Sequence, residues 1–200
     1  LAWARGADAW ILEDDYDSEF RYAGAPLAAL QGIDPDQRVL YLGSFSKSLF
    51  SGLRLAYLVV PRDLVSAFRA ARQAAGGPPP VLEQAVLERF LAEGHYQRHL
   101  RRMRRVYSQR QRTLVAAVGK ELDGILHVNP DETGMHLVGW LRNGMSGEDL
   151  CRRAANEGIE LLPLSSYRSV PGPEGVLLGF SEVGERALLR GVRTLRRVMM

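Results

Sequence analysis

Three short, mainly apolar runs are the feature that most constrains the fold of this chain. They occupy residues 9–13, 38–43 and 53–60, and the last is closed by Pro61. Strands of a parallel sheet have this character because both of their faces are buried, whereas half-buried strands alternate apolar and polar residues. The first half of the chain is therefore predicted to be α/β, with part of a mostly parallel sheet.

Helical spacing marks the segments around these runs. Residues 1–8 read like the end of a helix, and a short helix is predicted at residues 27–31. Pro61 suits the first position of a helix at residues 62–75, whose apolar face is formed by Leu64, Val65, Phe68 and Ala71. Glycines and prolines at residues 76–80 end that helix, and another is predicted at residues 81–92.

The second half has a different pattern. A long helix is predicted at residues 96–122, with an apolar stripe of Leu100, Met103, Tyr107, Leu114 and Val118. Strands at residues 125–128, 135–140 and 175–181 alternate with helices at residues 146–158 and 182–199, as in an α+β domain. We thus expect part of a large domain at residues 1–95, a connecting helix at 96–122 and a small α+β domain at 123–200.

Composition excludes several classes of protein. The net charge of +3 is too mild to indicate nucleic-acid binding, and no apolar run is long enough to span a membrane. One cysteine, Cys151, excludes an internal disulfide, fits a reducing cytoplasm and is interpreted as a buried structural residue. Four histidines lack metal-ligand spacing and are interpreted as structural or surface residues: His95, His99, His127 and His136.

Arginines of the long helix lie largely off its apolar stripe, at Arg98, Arg101, Arg102, Arg105 and Arg112. Such a row could contact nucleic-acid phosphates. We favour a solvated helix face with intramolecular pairs, because no aromatic residues alternate with the arginines.

The chain contains 26 basic residues, and only two of them are lysines, Lys47 and Lys120. Lys47 follows the second predicted strand in the segment Ser44-Phe45-Ser46-Lys47. Arginine cannot lose its proton in a protein, whereas a lysine amine can do so and act as a nucleophile. A reactive lysine and an ordinary surface lysine are the two interpretations of this residue.

Other polar side chains are expected at the same edge of the sheet. The first strand ends in Asp14, Asp15 and Tyr16, and ligands of α/β sheets bind beyond the carboxyl ends of the strands. An amine, a carboxylate, a phenol, hydroxyls and Arg54 together suit pyridoxal 5′-phosphate (PLP), which has an aldehyde, a pyridine nitrogen and a phosphate. The acids could instead cap the strand end, Tyr16 could serve packing, and Arg54 could form a structural ion pair.

The motifs resemble a known family. Glu13-Asp14-Asp15-Tyr16, then Ser44-Phe45-Ser46-Lys47 and Gly52-Leu53-Arg54 resemble fold-type-I aminotransferases. More narrowly, residues 11–22 and 94–107 resemble the MocR subgroup of GntR-type transcriptional regulators, in which a winged-helix DNA-binding domain precedes an aminotransferase-like domain. The resemblance covers essentially all 200 residues, as the C-terminal part of that second domain.

The resemblance implies a role for each site residue. Lys47 would be the Schiff-base lysine, in an internal aldimine, and Asp14, chosen over Asp15 by the family's spacing, would face the pyridine nitrogen. Tyr16 would bond the ring's O3′ oxygen, and the phosphate would be held by Ser44 and Arg54, with Ser46 as a weaker candidate. No metal is expected.

One departure from the family pattern affects the predicted activity. Working aminotransferases bind the substrate carboxylate with an arginine in a pattern like Arg-x-x-Phe-Ser, and this chain has Leu177 at that position, before Phe180 and Ser181. Arg168, in a nearby loop, is a possible substitute. We therefore predict Schiff-base formation with weak or absent transamination.

Three functions are left open. The favoured one is a regulator that senses PLP or a small amine or amino acid, binds DNA through an N-terminal domain outside this chain, and forms a homodimer in the cytoplasm. The alternatives are a genuine PLP-dependent aminotransferase of the class I and II type, and a degenerate domain that binds no cofactor. The chain is expected to be a fragment of a longer protein, because it supplies about three of the strands that the fold requires.

Overall fold

The computed structural model describes residues 1–76, 80–142 and 144–200. The chain forms two compact units. The first unit contains Leu1–Glu19 and Gly24–Arg101, and the second contains Phe20–Ala23 and Arg102–Met200.

A three-stranded sheet forms the centre of the first unit, in the order β1 (Ile11–Asp15), β2 (Val39–Ser44) and β3 (Ala56–Val59). β1 pairs with β2 in parallel, and β3 pairs with β2 in an antiparallel manner. The three predicted strands are confirmed. The third is shorter than predicted because a 3₁₀ turn at Ser51–Leu53 and a left-handed Arg54 precede it.

The helices of the first unit are α1 (Ala2–Gly6), α2 (Val65–Ala74), α3 (Val81–Ala92) and the beginning of α4 (His95–Glu121). The predicted helix at residues 62–75 is confirmed, although its first turn, Arg62–Leu64, is 3₁₀. None of the α2 residues is fully buried and only Val65 at its start is half-buried, so most of its apolar face is not covered by the described residues. Of the predicted helix stop at residues 76–80, residues 77–79 lie outside the described residues.

The helix predicted at residues 27–31 is wrong, because only the 3₁₀ turn Gln31–Ile33 forms there. Five residues are too few to offset the cost of nucleating a helix. The Glu13 carboxylate instead accepts the backbone N–H groups of Leu30 and Gln31 at 2.8 and 3.0 Å.

An aromatic layer lies on one face of the β sheet. The Tyr57 ring crosses Gly43 on the adjacent strand so closely that a Cβ atom at residue 43 would lie 2.2 Å from Cζ of Tyr57. The ring centroid of Tyr57 is 6.1 Å from that of Tyr41 and 5.5 Å from that of Phe45. Glycine at position 43 therefore allows the Tyr57 ring to lie across the adjacent strand.

A second, antiparallel sheet lies in the second unit, in the order β4 (Leu126–Val128), β5 (His136–Leu141), β7 (Gly175–Gly179) and β6 (Leu162–Pro163). This sheet shares one apolar core with three helical segments: α5 (Gly147–Asn156), α6 (Glu185–Met199) and the latter part of α4. The centre of that core is formed by Leu122, Leu150, Val176, Phe180 and Val192. The predicted α+β pattern is confirmed, and only the two-residue β6 is absent from the prediction.

The side chains of the long helix follow the predicted division. Leu100, Leu114 and Val118 are buried, and Met103 and Tyr107 are half-buried. The five arginines named above are all exposed, and two pair within the helix: Arg98 with His95, and Arg112 with Ser108 and Gln109.

Cys151 on α5 is half-buried and packs against the core of the second unit. Burial, with a contribution from the nearby Glu148 charge, raises the pKa of its thiol, which disfavours the reactive thiolate. No helix among the described residues has the length and apolar character needed to cross a membrane. Within the same residues, no group of three or more His, Cys, Asp or Glu side chains could hold a metal ion.

Glu174 joins the start of α5 to the loop before β7. Its carboxylate accepts hydrogen bonds from Gly147 N and from Arg168 Nη2, both at 2.7 Å. The Gly147 N–H and then the Arg168 guanidinium lower the pKa of Glu174. The carboxylate thus contributes stability when it is ionised.

We predict that Gly43→Ala destabilises the protein by about 1–3 kcal/mol, because Tyr57 must leave its position on the sheet. Gly119→Ala is the matched control, since Gly119 lies in the last turn of α4 and no atom outside the adjacent helix backbone lies within 4 Å of its added Cβ; it should stabilise by up to about 1 kcal/mol. Urea unfolding measures both changes. Equal stability of Gly43→Ala and the wild type would contradict the steric argument.

We also predict that Glu174→Gln lowers the melting temperature at neutral pH. The folded-state pKa is depressed, so the carboxylate stabilises the fold above its unfolded-state pKa, and this contribution is lost as the pH falls through the folded-state value. The difference between wild type and variant should therefore shrink towards about pH 3. Glu160→Gln, at an exposed site, is the control; a difference that does not depend on pH would contradict the prediction.

Candidate cofactor-binding site

Parallel pairing brings the ends of β1 and β2 to one edge of the first sheet. Asp14 lies opposite Leu42 and Asp15 lies opposite Gly43. Tyr16 therefore begins the segment after β1 at the edge where Ser44 ends β2. Lys47 follows three residues later, so the predicted site residues of both strands meet at this edge.

Alternation along β1 separates the functions of its acidic residues. Glu13 and Asp15 point to one face of the sheet, and Asp14 points to the other, as the alternation of half-buried and exposed positions indicates. Glu13 binds backbone N–H groups, as described above. Asp15 accepts hydrogen bonds from Ser18 Oγ at 2.6 Å, Ser18 N at 3.1 Å and Tyr41 Oη at 2.7 Å.

The environment of Asp15 keeps it ionised. Burial raises the pKa of Asp15, but the hydrogen bonds from Ser18 and Tyr41 outweigh burial, and its pKa lies below the usual value. Burial and the hydrogen bond to Asp15 correspondingly raise the pKa of the Tyr41 hydroxyl. Asp15 therefore stabilises the end of β1, which agrees with the alternative that the acids cap the strand end.

Asp14 is the carboxylate of β1 that remains available. It is exposed, and it makes no hydrogen bond or ion pair with any other described residue. Tyr16 is half exposed, and the Asp17 charge, burial and the Asp14 charge together raise its pKa. The Tyr16 hydroxyl is therefore protonated at neutral pH and can donate a hydrogen bond.

A tight turn carries Lys47. Leu49 N donates to Phe45 O at 2.9 Å, and Ser46 N donates to Ser44 Oγ at 3.2 Å. Ser44 and Ser46 are half-buried, and the Ser44 hydroxyl proton remains free to donate. The Lys47 side chain is exposed, and no hydrogen bond or ion pair joins it to another residue of the described ranges.

A short loop brings Arg54 close to the sheet edge that carries Ser44. Phe45 N donates to Leu55 O at 3.1 Å, and Ser44 lies opposite Ala56 at the start of β3. Arg54 is exposed and adopts the left-handed conformation, with φ 49° and ψ 32°. Its guanidinium also has no polar partner within the described residues, so a structural ion pair does not account for it.

These residues fit the chemistry of PLP. One sheet edge carries an amine, a carboxylate and a guanidinium without polar partners, together with two serines and a tyrosine. These are the groups that an aldehyde, a pyridine nitrogen and a phosphate require. Two concave regions are lined by other residues. The one in the first unit, of about 380 Å³, contains Val39 and Val60 at the opposite edge of the sheet.

In the second unit, Leu177 is half-buried on β7, beside Val138 of β5 and Leu162 of β6. Arg168 donates from Nη1 to Pro173 O at 2.6 Å and from Nη2 to Glu174 Oε1 at 2.7 Å. Both terminal nitrogens of Arg168 are therefore engaged within this unit, which does not support Arg168 as a substitute for the missing arginine.

A buried cluster beneath the lysine turn is absent from the sequence-based site. It joins Ser48 to Tyr96 and His99 of α4 and to Glu19. Ser48 and Tyr96 are 48 residues apart, so local spacing gives no sign of their contact. The interpretation of His99 as a structural residue agrees with its bond to the Ser48 carbonyl oxygen.

Comparison with known proteins identifies the relatives of this chain. The probable rhizopine catabolism regulatory protein MocR of Rhizobium meliloti is 40% identical over 190 residues, which are 94% of this chain and 38% of that protein. The HTH-type regulator YhdI of Bacillus subtilis is 36% identical over 98% of this chain and 42% of its own length. The 2-aminoadipate transaminase of Thermus thermophilus is 31% identical over 94% of this chain and 48% of the enzyme.

A solved structure agrees with the fold. The α-aminoadipate aminotransferase LysN of Thermus thermophilus, solved in complex with N-(5′-phosphopyridoxyl)-L-leucine, matches with a TM-score of 0.88 and 28% identity. The match covers 99% of this chain and 52% of that one. It confirms the predicted fold, the C-terminal part of a PLP-dependent transferase of fold type I, and the relatives confirm the resemblance to MocR-type regulators.

The chain spans less than half the length of the curated relatives named above. Residues 2–176 match the family model for aminotransferase class I and II, which is most of the chain. The chain therefore belongs to the class I and II aminotransferase family.

Proposed function

We propose that this chain is part of the PLP-binding effector domain of a MocR-type transcriptional regulator. The observation that carries the proposal is the position of Lys47, an exposed lysine without a polar partner on a fixed turn at the carboxyl edge of the sheet. A lysine there can bind a cofactor without first breaking an internal ion pair. When bound, PLP supplies an aldehyde carbon and a ring that accepts electrons.

Each residue at the edge has a task in this proposal. Lys47 would hold the cofactor covalently through its amine, at the aldehyde group. Asp14 would keep the pyridine nitrogen protonated, and Tyr16 would donate to the ring oxygen. The phosphate would be held by the hydroxyls of Ser44 and Ser46 and by the guanidinium of Arg54.

The regulator is favoured over the enzyme by the second unit. Leu177 has no group that can bind a carboxylate, and the terminal nitrogens of Arg168 are engaged by Glu174 and Pro173. The two regulators are also more similar to this chain, at 40% and 36% identity, than the transaminase, at 31%. A genuine aminotransferase is the second candidate, supported by that third relative.

The proposal that the protein is a regulator also includes a DNA-binding domain, an effector, an assembly and a location. DNA would be bound by an N-terminal domain outside this chain, because the relatives include HTH-type regulators. We propose PLP or a small amine or amino acid as the effector, a homodimer as the assembly and the cytoplasm as the location. The division into residues 1–95, 96–122 and 123–200 is likewise a proposal.

We predict that the full-length protein forms a visible absorbance band with PLP that depends on Lys47. Lys47→Ala should abolish the band and the covalent adduct that borohydride reduction traps, since no amine remains at the site. Lys120→Ala is the control and should retain both. A band and adduct that survive Lys47→Ala, or that are absent from the wild type, would contradict the proposed site.

We predict slow or absent transamination by the wild type and a gain of at least about tenfold in Leu177→Arg. A charge-assisted carboxylate pair contributes about 2–5 kcal/mol when its partner charge would otherwise be left unpaired, and the gain is smaller because the surrounding site is not adapted to arginine. Conversion of the PLP band to the pyridoxamine form, with common L-amino acids, measures the rate. Val138→Arg, beside Leu177 on the adjacent strand, is the control.

Rapid transamination by the wild type would favour the aminotransferase instead. Equal gains in Leu177→Arg and Val138→Arg would show that added positive charge, rather than a specific carboxylate contact, is responsible.

A further inference from the structure

A buried polar cluster lies directly behind the proposed Schiff-base lysine. Ser48, the residue after Lys47, is 1% exposed, and Tyr96 of α4 is 7% exposed. The Tyr96 hydroxyl oxygen lies 3.0 Å from Ser48 Oγ and 3.2 Å from Glu19 Oε1. All of these residues belong to the first unit.

The direction of the hydrogen bonds follows from the available protons. An ionised Glu19 carboxylate can only accept, so the single hydroxyl proton of Tyr96 is directed to Glu19. The Ser48 hydroxyl is then the donor to the Tyr96 oxygen. Burial is the largest of the effects that raise the pKa of Tyr96 to about 12; the Glu19 charge also raises this pKa, and the hydrogen bond with Ser48 lowers it. Tyr96 is therefore protonated at neutral pH and can donate a hydrogen bond.

α4 contacts the turn at two further points. His99 Nε2 lies 2.9 Å from the Ser48 carbonyl oxygen, which can only accept, so Nε2 carries a proton. The Tyr96 ring also packs edge-on against Phe45, with ring centroids 5.9 Å apart. Lys47 therefore lies between two residues, Phe45 and Ser48, that α4 holds in place.

We propose that Tyr96 and Ser48 are positioning residues for Lys47. Their hydrogen bond fixes the backbone of the turn, so that the Lys47 side chain leaves the turn from a fixed Cα position and in a fixed direction. This inference rests on the proposed function. Among the described residues, no hydrogen bond joins the Tyr96 or Ser48 side chain to the proposed phosphate-binding residues, so we propose that both act through the turn.

A purely structural role of Tyr96 and Ser48 would have a different experimental outcome from a positioning role. If the bond serves only global stability, its loss lowers the melting temperature, and the affinity of the folded protein for PLP is unchanged. If it positions Lys47, its loss weakens Schiff-base formation at temperatures where the variant is fully folded. Misplacement of a reacting group by about 1 Å can cost about 100-fold, so a smaller shift is sufficient for a tenfold effect.

The test is a double-mutant cycle in the full-length protein with Tyr96→Phe, Ser48→Ala and the double variant. PLP is titrated by the absorbance of the Schiff base, well below the melting temperature of each variant. We expect each single variant to weaken binding roughly tenfold and the double variant to be no weaker than the weaker single variant, because both substitutions remove the same bond. Tyr107→Phe, which removes a tyrosine hydroxyl elsewhere on α4, should bind like the wild type.

Several results would overturn the inference. Wild-type affinity in both single variants, or a double variant whose loss is the product of the two single losses, excludes positioning through this bond while the proposed function stands. Absence of the band in the wild type overturns the proposed function, and this inference with it. Should Tyr96→Phe fail to fold, Ser48→Ala decides alone, with weakened binding as support and wild-type binding as refutation.

Discussion

Parallel hydrogen bonding between β1 and β2 determines which side chains can meet near Lys47. The register places Asp14 beside Leu42 and the end of β1 beside the end of β2. Because side chains of a strand alternate between faces, a shift of one residue would exchange Asp14 and Asp15. The hydrogen bond between Asp15 and Tyr41 of β2 would then be lost, and Asp15, still bound to Ser18 in its own segment, would replace the free Asp14 at the open face. The pairing of β1 with β2 therefore determines that Asp14, rather than Asp15, lies without a partner at the edge that carries Lys47.

The two faces of the first sheet have different chemical tasks. One face presents Asp14, and the other holds the ionised Asp15 under the Tyr41 hydroxyl and the Tyr57 ring over Gly43. Polar groups on the second face are satisfied internally, which makes that face a rigid support. Beyond the strand end, the cluster of Ser48, Tyr96 and Glu19 continues this support beneath the lysine turn. Among the groups proposed to bind PLP, Lys47, Asp14 and Arg54 have no hydrogen bond or ion pair within the described residues, whereas Ser44 accepts a hydrogen bond from Ser46 N.

Local patterns made much of this fold predictable. The apolar runs marked β1, β2 and β3, and helical spacing marked α4 with its buried Leu100 and Val118, because these features depend on neighbours in sequence. The unusual Lys47 was visible for the same reason. Spacing could not show that Glu13 would bind the Leu30 and Gln31 N–H groups in place of a helix, or that Tyr96 would reach Ser48, because such contacts depend on the tertiary fold. β6 was missed because two residues, one of them Pro163, carry no periodicity.

The left-handed backbone of Arg54 has a consequence for selection on this protein. A residue with a Cβ atom pays about 1 kcal/mol for this conformation relative to glycine. Selection for heat resistance alone would therefore favour glycine at position 54, whereas selection for the proposed phosphate contact would retain the arginine. Under that proposal, thermal tolerance and ligand affinity are opposed at a single residue.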